Sequence, residues 1–134
     1  MQIVQPDIIT SGGIWELRKI AAQAESREIG IAPHMPYGPI SFIACLHLAA
    51  ATPNHVIQEG GGNIAVSKDY LTEPLTMLPG GFVAVPDKPG LGFELDEAKI
   101  VAQDLIHDGN PSGHGKYSLP ENLGRNEDGS WAEA

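Results

Sequence analysis

Apolar and polar positions switch between two periods along the first sixty residues, and the switches mark the elements. Residues 2–7, Gln-Ile-Val-Gln-Pro-Asp, read as a short extended run that ends on a carboxylate. Thr10, Ser11, Gly12 and Gly13 then make a turn. Ile14, Leu17, Ile20, Ala21 and Ala24 recur at helical spacing with Glu16, Arg18, Lys19 and Glu25 opposite them, which predicts an amphipathic helix from 14 to about 27 that covers a sheet. Residues 30–33, Gly-Ile-Ala-Pro, form a second apolar run that ends on His34, and a Pro/Gly-rich loop carries the chain to Pro39. The mostly apolar run 40–51 predicts a second helix, stopped by Thr52, Pro53 and Asn54. A third run, 55–58, ends on Glu59 before Gly60, Gly61 and Gly62.

Strand, helix, strand, helix, strand at this spacing is the pattern of right-handed βαβ units around a parallel sheet. Each predicted strand ends on an ionisable side chain, and in a (β/α) barrel the C-terminal strand ends carry the chemistry. Asp7, His34 and Glu59 are therefore expected to converge at one mouth. Three strands cannot close a barrel, which needs about eight, so the chain is expected either to recruit the rest or to be a piece of one. After Gly62 the sequence is turn-rich with short extended pieces, Asp96 to about Ile106 can form one helical turn or more, and the stretch from Asp108 is rich in Gly, Asn, Pro and Ser. Three parts follow: 1–62 as a partial barrel, 63–106 as a wrapping tail, and 107–134 as a flexible extension.

Charge narrows the partners. With 17 acidic against 8 basic side chains the formal charge is -9, which repels polyphosphate and leaves no basic stripe for nucleic acid. Apolar residues make up 42% and charged ones 19%, the ordinary mix of a folded domain. No stretch approaches about 18 consecutive apolar residues and no basic segment leads into an apolar one at the start, so neither a membrane partner nor a secretory signal is expected. A cytoplasmic address follows by default. The single cysteine, Cys45, lies in the apolar run Ile43-Ala44-Cys45-Leu46, where it reads as a buried small hydrophobe rather than a reactive thiol.

Taken singly, Asp7 reads as a turn former or helix cap, His34 as a loop histidine and Glu59 as a solvated carboxylate. Their succession at consecutive strand ends favours a shared chemical role. Removing a proton beside a carboxylate needs a base poised near neutral pH, and a carboxylate bonded to an imidazole fixes its tautomer and favours its protonated form. His47 reads as a packed helix residue. His55, His107 and His114 lack the partner spacing of a metal site, and Asp87 and Asp96 read as turn and cap residues. Gly60, Gly61 and Gly62 are followed by no GK[ST] and no helix start, so a phosphate-cradling loop is not expected and they read as a flexible part of the mouth. No residue of the chain is expected to ligate a metal.

Four segments in order carry a family resemblance: 6–14, Pro-Asp-Ile-Ile-Thr-Ser-Gly-Gly-Ile; 32–40, Ala-Pro-His-Met-Pro-Tyr-Gly-Pro-Ile; 51–54 leading to Gln58 and Glu59; and 85–92, Val-Pro-Asp-Lys-Pro-Gly-Leu-Gly. Together, over residues 2–100, they resemble the last third of the enolase-superfamily barrel of the mandelate racemase and muconate lactonizing type, with the galactonate dehydratase-like sugar-acid dehydratases most similar. The resemblance implies an α/β fold, the C-terminal third of a TIM-like (β/α)7β barrel, followed by an irregular tail that packs on a capping domain in the full-length family. It implies that His34 is the acid/base histidine, Asp7 its dyad partner and Glu59 the carboxyl group facing the substrate's own carboxylate, with Met35 and Tyr37 against the substrate. Met35 stands where family members often have Asn.

The same resemblance implies a Mg2+-dependent loss of water from a sugar acid, with the metal ligands on preceding strands that are not in this chain. The chain alone is then expected to be inactive, and the full-length family to be homo-oligomeric enzymes of small-molecule sugar acids. A racemase or epimerase of the same superfamily is one alternative. A non-catalytic remnant, or a subunit that associates with a partner supplying the other strands, is another.

Overall fold

A computed structural model describes residues 2–104 of the chain, which divides into two units, Met1–Asp96 and Glu97–Ala134. The expectations for 107–134, including those for His107 and His114, lie outside the described residues. Within the first unit, strand β1 (Ile3–Val4) pairs in parallel with β2 (Gly30–Ile31). The ladder is longer than these two elements: the amides of Gly30, Ala32 and His34 donate in turn to the carbonyls of Gln2, Val4 and Pro6 at 3.0, 3.0 and 3.1 Å. Every second amide bonded in one direction is the hydrogen-bond pattern of parallel strands, and it carries the register to a final bridge between Asp7 and His34.

The third predicted strand is reduced to one bridge, Ile31 to His55, held by Ile31 N–H on the Asn54 carbonyl and Val56 N–H on the Ile31 carbonyl, both 2.9 Å. The run is anchored sideways, because Asn54 Nδ2 donates to the carbonyls of Ala21 and Ile29 and ties it to the end of the first helix. Gly30 lies under this crossing: a Cβ there would sit 2.6 Å from Val56 Cγ2.

Helix α1 (Gly13–Glu25) follows β1 and buries Leu17, Ala21 and Ala24, spaced as one face requires. Its entry uses Gly12 and Gly13 at φ +98° and +88°, conformations that side-chain-bearing residues avoid. Its exit places Glu28 at φ +57° while Ile29 N–H reaches back to the Ala24 carbonyl at 3.0 Å, the geometry of a Schellman ending without its usual glycine. Helix α2 (Pro39–Ala50) begins with proline in its first turn, where the missing amide costs nothing, and buries Phe42, Ile43, Ala44, Cys45, Leu46 and Leu48. So wide an apolar surface needs cover on more than one side. One side meets α1; on another, Leu75, Val83 and Leu91 of the tail pack against the core of Ile8, Leu17, Met35, Phe42 and Cys45.

Two short elements intervene after Glu59. Helix α3 (Gly61–Val66) and a 3-10 turn (Ser67–Asp69) occupy the place where the sequence predicts only flexible glycines and no helix start. The glycines belong to the approach to that helix: Gly60, at φ +114°, turns the chain into it. The tail then forms an antiparallel hairpin of β3 (Met77–Leu78) and β4 (Phe82–Val83), closed through Gly80 and Gly81 at φ +83° each. It returns past Leu71 to Leu95, and His47 on α2 donates from Nε2 to the Leu91 carbonyl at 3.1 Å. The 85–92 segment is thus strapped to α2 by the histidine expected to be a packed helix residue. Helix α4 (Glu97–Asp104) belongs to the second unit and falls where one helical turn or more is expected.

Candidate active site

The parallel ladder sets the site. Because β1 and β2 run the same way in register, their last residues, Asp7 and His34, come side by side at the C-terminal end of the sheet. Asp7 is only 7% exposed. Its Oδ1 accepts the amides of Ile9 and Thr10, both at 2.8 Å, while Oδ2 accepts Nδ1–H of His34 at 2.9 Å. Burial pushes the Asp7 carboxyl up, but the Thr10 amide, the His34 ring and the Ile9 amide together outweigh it and hold the group below its usual range. An ionised Asp7 can only accept here, so in the neutral imidazole the proton sits on Nδ1 and the lone pair on Nε2. The His34 side chain is 45% exposed, so the ring is braced on one side and open on the other.

Glu59 reaches the same place from the third run. Its Oε2 accepts the amide of Met35, the residue after His34, at 2.9 Å. Tyr37 sets its ring edge-on to His34, with centroids 6.3 Å apart at 86°, and partial desolvation and then the charge of Asp7 push its phenol up. Of the residues expected at the mouth, Asp7, His34 and Tyr37 are in mutual reach, and Glu59 is tied to the backbone amide that follows His34.

Met35 departs from its expected place. Its side chain is 1% exposed and packed in the core cluster, so it does not line the mouth, and its part in the site is made by the backbone. The physical reason is the alternation along an extended run: with His34 directed to the open side, its neighbour turns inward. Asn63 was not singled out in the sequence. It is buried on α3 and donates from Nδ2 to the Met35 carbonyl at 3.2 Å. Its only sequence signal is an amide three residues beyond a glycine turn.

The enolase C-terminal domain-like family model matches residues 1–99. The chain belongs to that family. Over 105 residues it is 42% identical to a D-galactonate dehydratase from Verminephrobacter eiseniae, a match covering 74% of this chain and 28% of that protein. Among solved structures, an enolase of the mandelate racemase subgroup from Agrobacterium tumefaciens matches with a TM-score of 0.67 at 33% identity, covering 75% of this chain and 28% of that one. A mandelate racemase/muconate lactonizing enzyme from Jannaschia sp. CCS1 matches with a TM-score of 0.64 at 36% identity, covering 75% and 26%. The α/β fold is therefore that of enolase-superfamily enzymes, and the chain spans about a quarter of the length of these relatives.

Membership of this family suggests a divalent metal, usually Mg2+. The described residues do not fit one. Mg2+ requires near-octahedral oxygen ligation, usually with carboxylates free to reach it. Both Asp7 oxygens are engaged, one Glu59 oxygen holds Met35, and among the described residues no three His, Cys, Asp or Glu side chains gather closely enough to hold a metal. No helix among the described residues is long and apolar enough to cross a membrane.

Proposed function

We propose that this chain carries the proton-transfer side of a sugar-acid dehydratase site, on what corresponds to the last strands of a (β/α)7β barrel. The observation that carries the reading is the bond from His34 Nδ1–H to a buried, ionised Asp7 at the ends of adjacent parallel strands. The relative named D-galactonate dehydratase supports the substrate class.

In this reading Nε2 of His34 takes the proton from the carbon next to the substrate carboxylate. The C–H electron pair passes into the carboxyl group, and the positive charge gained by the ring is compensated by Asp7, which needs no reorganisation because two backbone amides already hold it. The electron pair then returns to form a carbon–carbon double bond as the β-hydroxyl departs as water, taking the proton now on His34 Nε2 and restoring the neutral ring. The enol that remains rearranges to a 2-keto acid. Glu59 faces the substrate carboxyl group with the oxygen not used by Met35. Metal ligands, in this reading, come from outside the described residues.

The test is a chimera in which this chain replaces the matching segment of the Verminephrobacter enzyme, assayed for keto-acid release across a panel of sugar acids. Turnover that disappears in His34→Asn supports the proposal. Turnover that survives His34→Asn overturns it.

A further inference from the structure

Met35 is held at both of its backbone polar groups, which belong to the successive peptide units on either side of its Cα. Its amide donates to Glu59 Oε2 at 2.9 Å and its carbonyl accepts from Asn63 Nδ2 at 3.2 Å. Both partners flank one turn, in which Gly60 at φ +114° lets the Asn63 amide donate to the Gly60 carbonyl at 2.8 Å. The space is closed: a Cβ on Gly60 would lie 2.6 Å from Asn63 Nδ2, 3.0 Å from the Phe42 ring and 3.2 Å from Met35 Cγ. On its other side the segment is fixed by His34 N–H on the Pro6 carbonyl.

From this we infer that Asn63 is a positioning residue, which sets the placement of Glu59 relative to His34 by fixing the backbone of Met35, the residue that joins them. An amide–carbonyl bond buried here is costly to leave unmade, so the Met35–Pro36 unit has one satisfied orientation as long as Asn63 supplies a donor. Without that donor the Met35–Pro36 unit can turn about Met35, the backbone at Met35 loosens, and Glu59 loses a fixed amide on the residue next to His34. The bond geometry stands by itself; its catalytic meaning rests on the proposed role of His34 and Glu59.

The experiment measures, on the intact 134-residue chain, amide hydrogen exchange together with the 15N signals of the His34 ring. The variants are Asn63→Leu, which keeps the bulk without a donor, and the smaller change Asn63→Ser. The expected result is exchange at Met35 faster by roughly ten-fold or more, relative to the Phe42 amide in the same sample, in Asn63→Leu. Asn63→Ser, with a shorter donor, should recover part of that protection, and the His34 ring signals should shift or broaden in Asn63→Leu. Equal acceleration at Met35 and Phe42 with unaltered His34 signals, in either variant, would reduce Asn63 to ordinary packing and overturn the inference. Neither readout depends on turnover, so failure of the dehydratase reading leaves this outcome separately readable.

Discussion

Asp7 combines burial with a lowered carboxyl pKa, and two titration effects on stability follow from the site and its neighbour. Stability carried by a carboxyl whose native pKa is lowered is complete above its unfolded value, near 3.8, and is lost as pH falls through the lowered native value. Burial lowers the pKa of His55 from 6.5, opposed by a bond to the Ile57 backbone, so the unfolded chain takes up that proton first and stability declines as pH drops below 6.5. Urea midpoints across pH should therefore show one decline beginning below 6.5 and another below 3.8, and Asp7→Asn should flatten only the second. Burial, then the charge of Asp7, pushes the Cys45 thiol up to about 12. A thiol reagent at pH near 8 should leave the native chain unlabelled and label one cysteine after unfolding in guanidinium; rapid native labelling would contradict its burial. The meeting of Asp7 and His34 was legible because a parallel strand's last residue is fixed by where its apolar run stops, whereas Glu59 lies beyond the last pairing of its run and reaches the Met35 amide by its side chain. Asn63 was not legible, because its partner lies 28 residues away and only the fold brings them together.

Among the elements, α1 and α2 were readable from their apolar spacing to within two residues or so, since burial of one wide face decides them. Helix α3 was not, because glycines read locally as a loop while contacts to Met35 and Phe42 define the turn into it. Gly60→Ala should lose about 1–3 kcal/mol from left-handed strain and the clash with Asn63. Gly61→Ala, with open space around its Cβ and no left-handed φ, should be neutral or slightly stabilising. Chemical denaturation of the pair checks this, and an equal loss in both would contradict it. Glu28 offers the opposite case: Glu28→Gly should gain about 0.5–1 kcal/mol by relieving its left-handed conformation at the end of α1.

Across the whole molecule, the strand–helix–strand order was legible, but the reach of the third strand was not. Its apolar run continues to Ile57 in sequence, yet pairing stops at His55 and Val56, leaving Ile57 65% exposed. Local pattern specifies which side chains prefer cover, whereas the length of a strand depends on the neighbour that pairs with it. The carboxylates at the strand ends are already engaged, so calorimetric titration of Mg2+ into the chain alone should show no saturable binding tighter than about 1 mM. In the chimeric enzyme, Glu59→Gln should lower turnover by about 10²-fold, and an unchanged rate would make Glu59 a spectator.

The most direct measurement of the central claim is deuterium transfer at the carbon next to the carboxylate, followed in the chimeric enzyme with a sugar acid deuterated at that carbon. If His34, braced by Asp7, removes that hydrogen, His34→Asn should abolish both its loss to solvent and keto-acid release, while Asp7→Asn, with the ring tautomer no longer fixed, should slow both. Deuterium loss continuing at an undiminished rate in His34→Asn would place the base elsewhere and contradict the account.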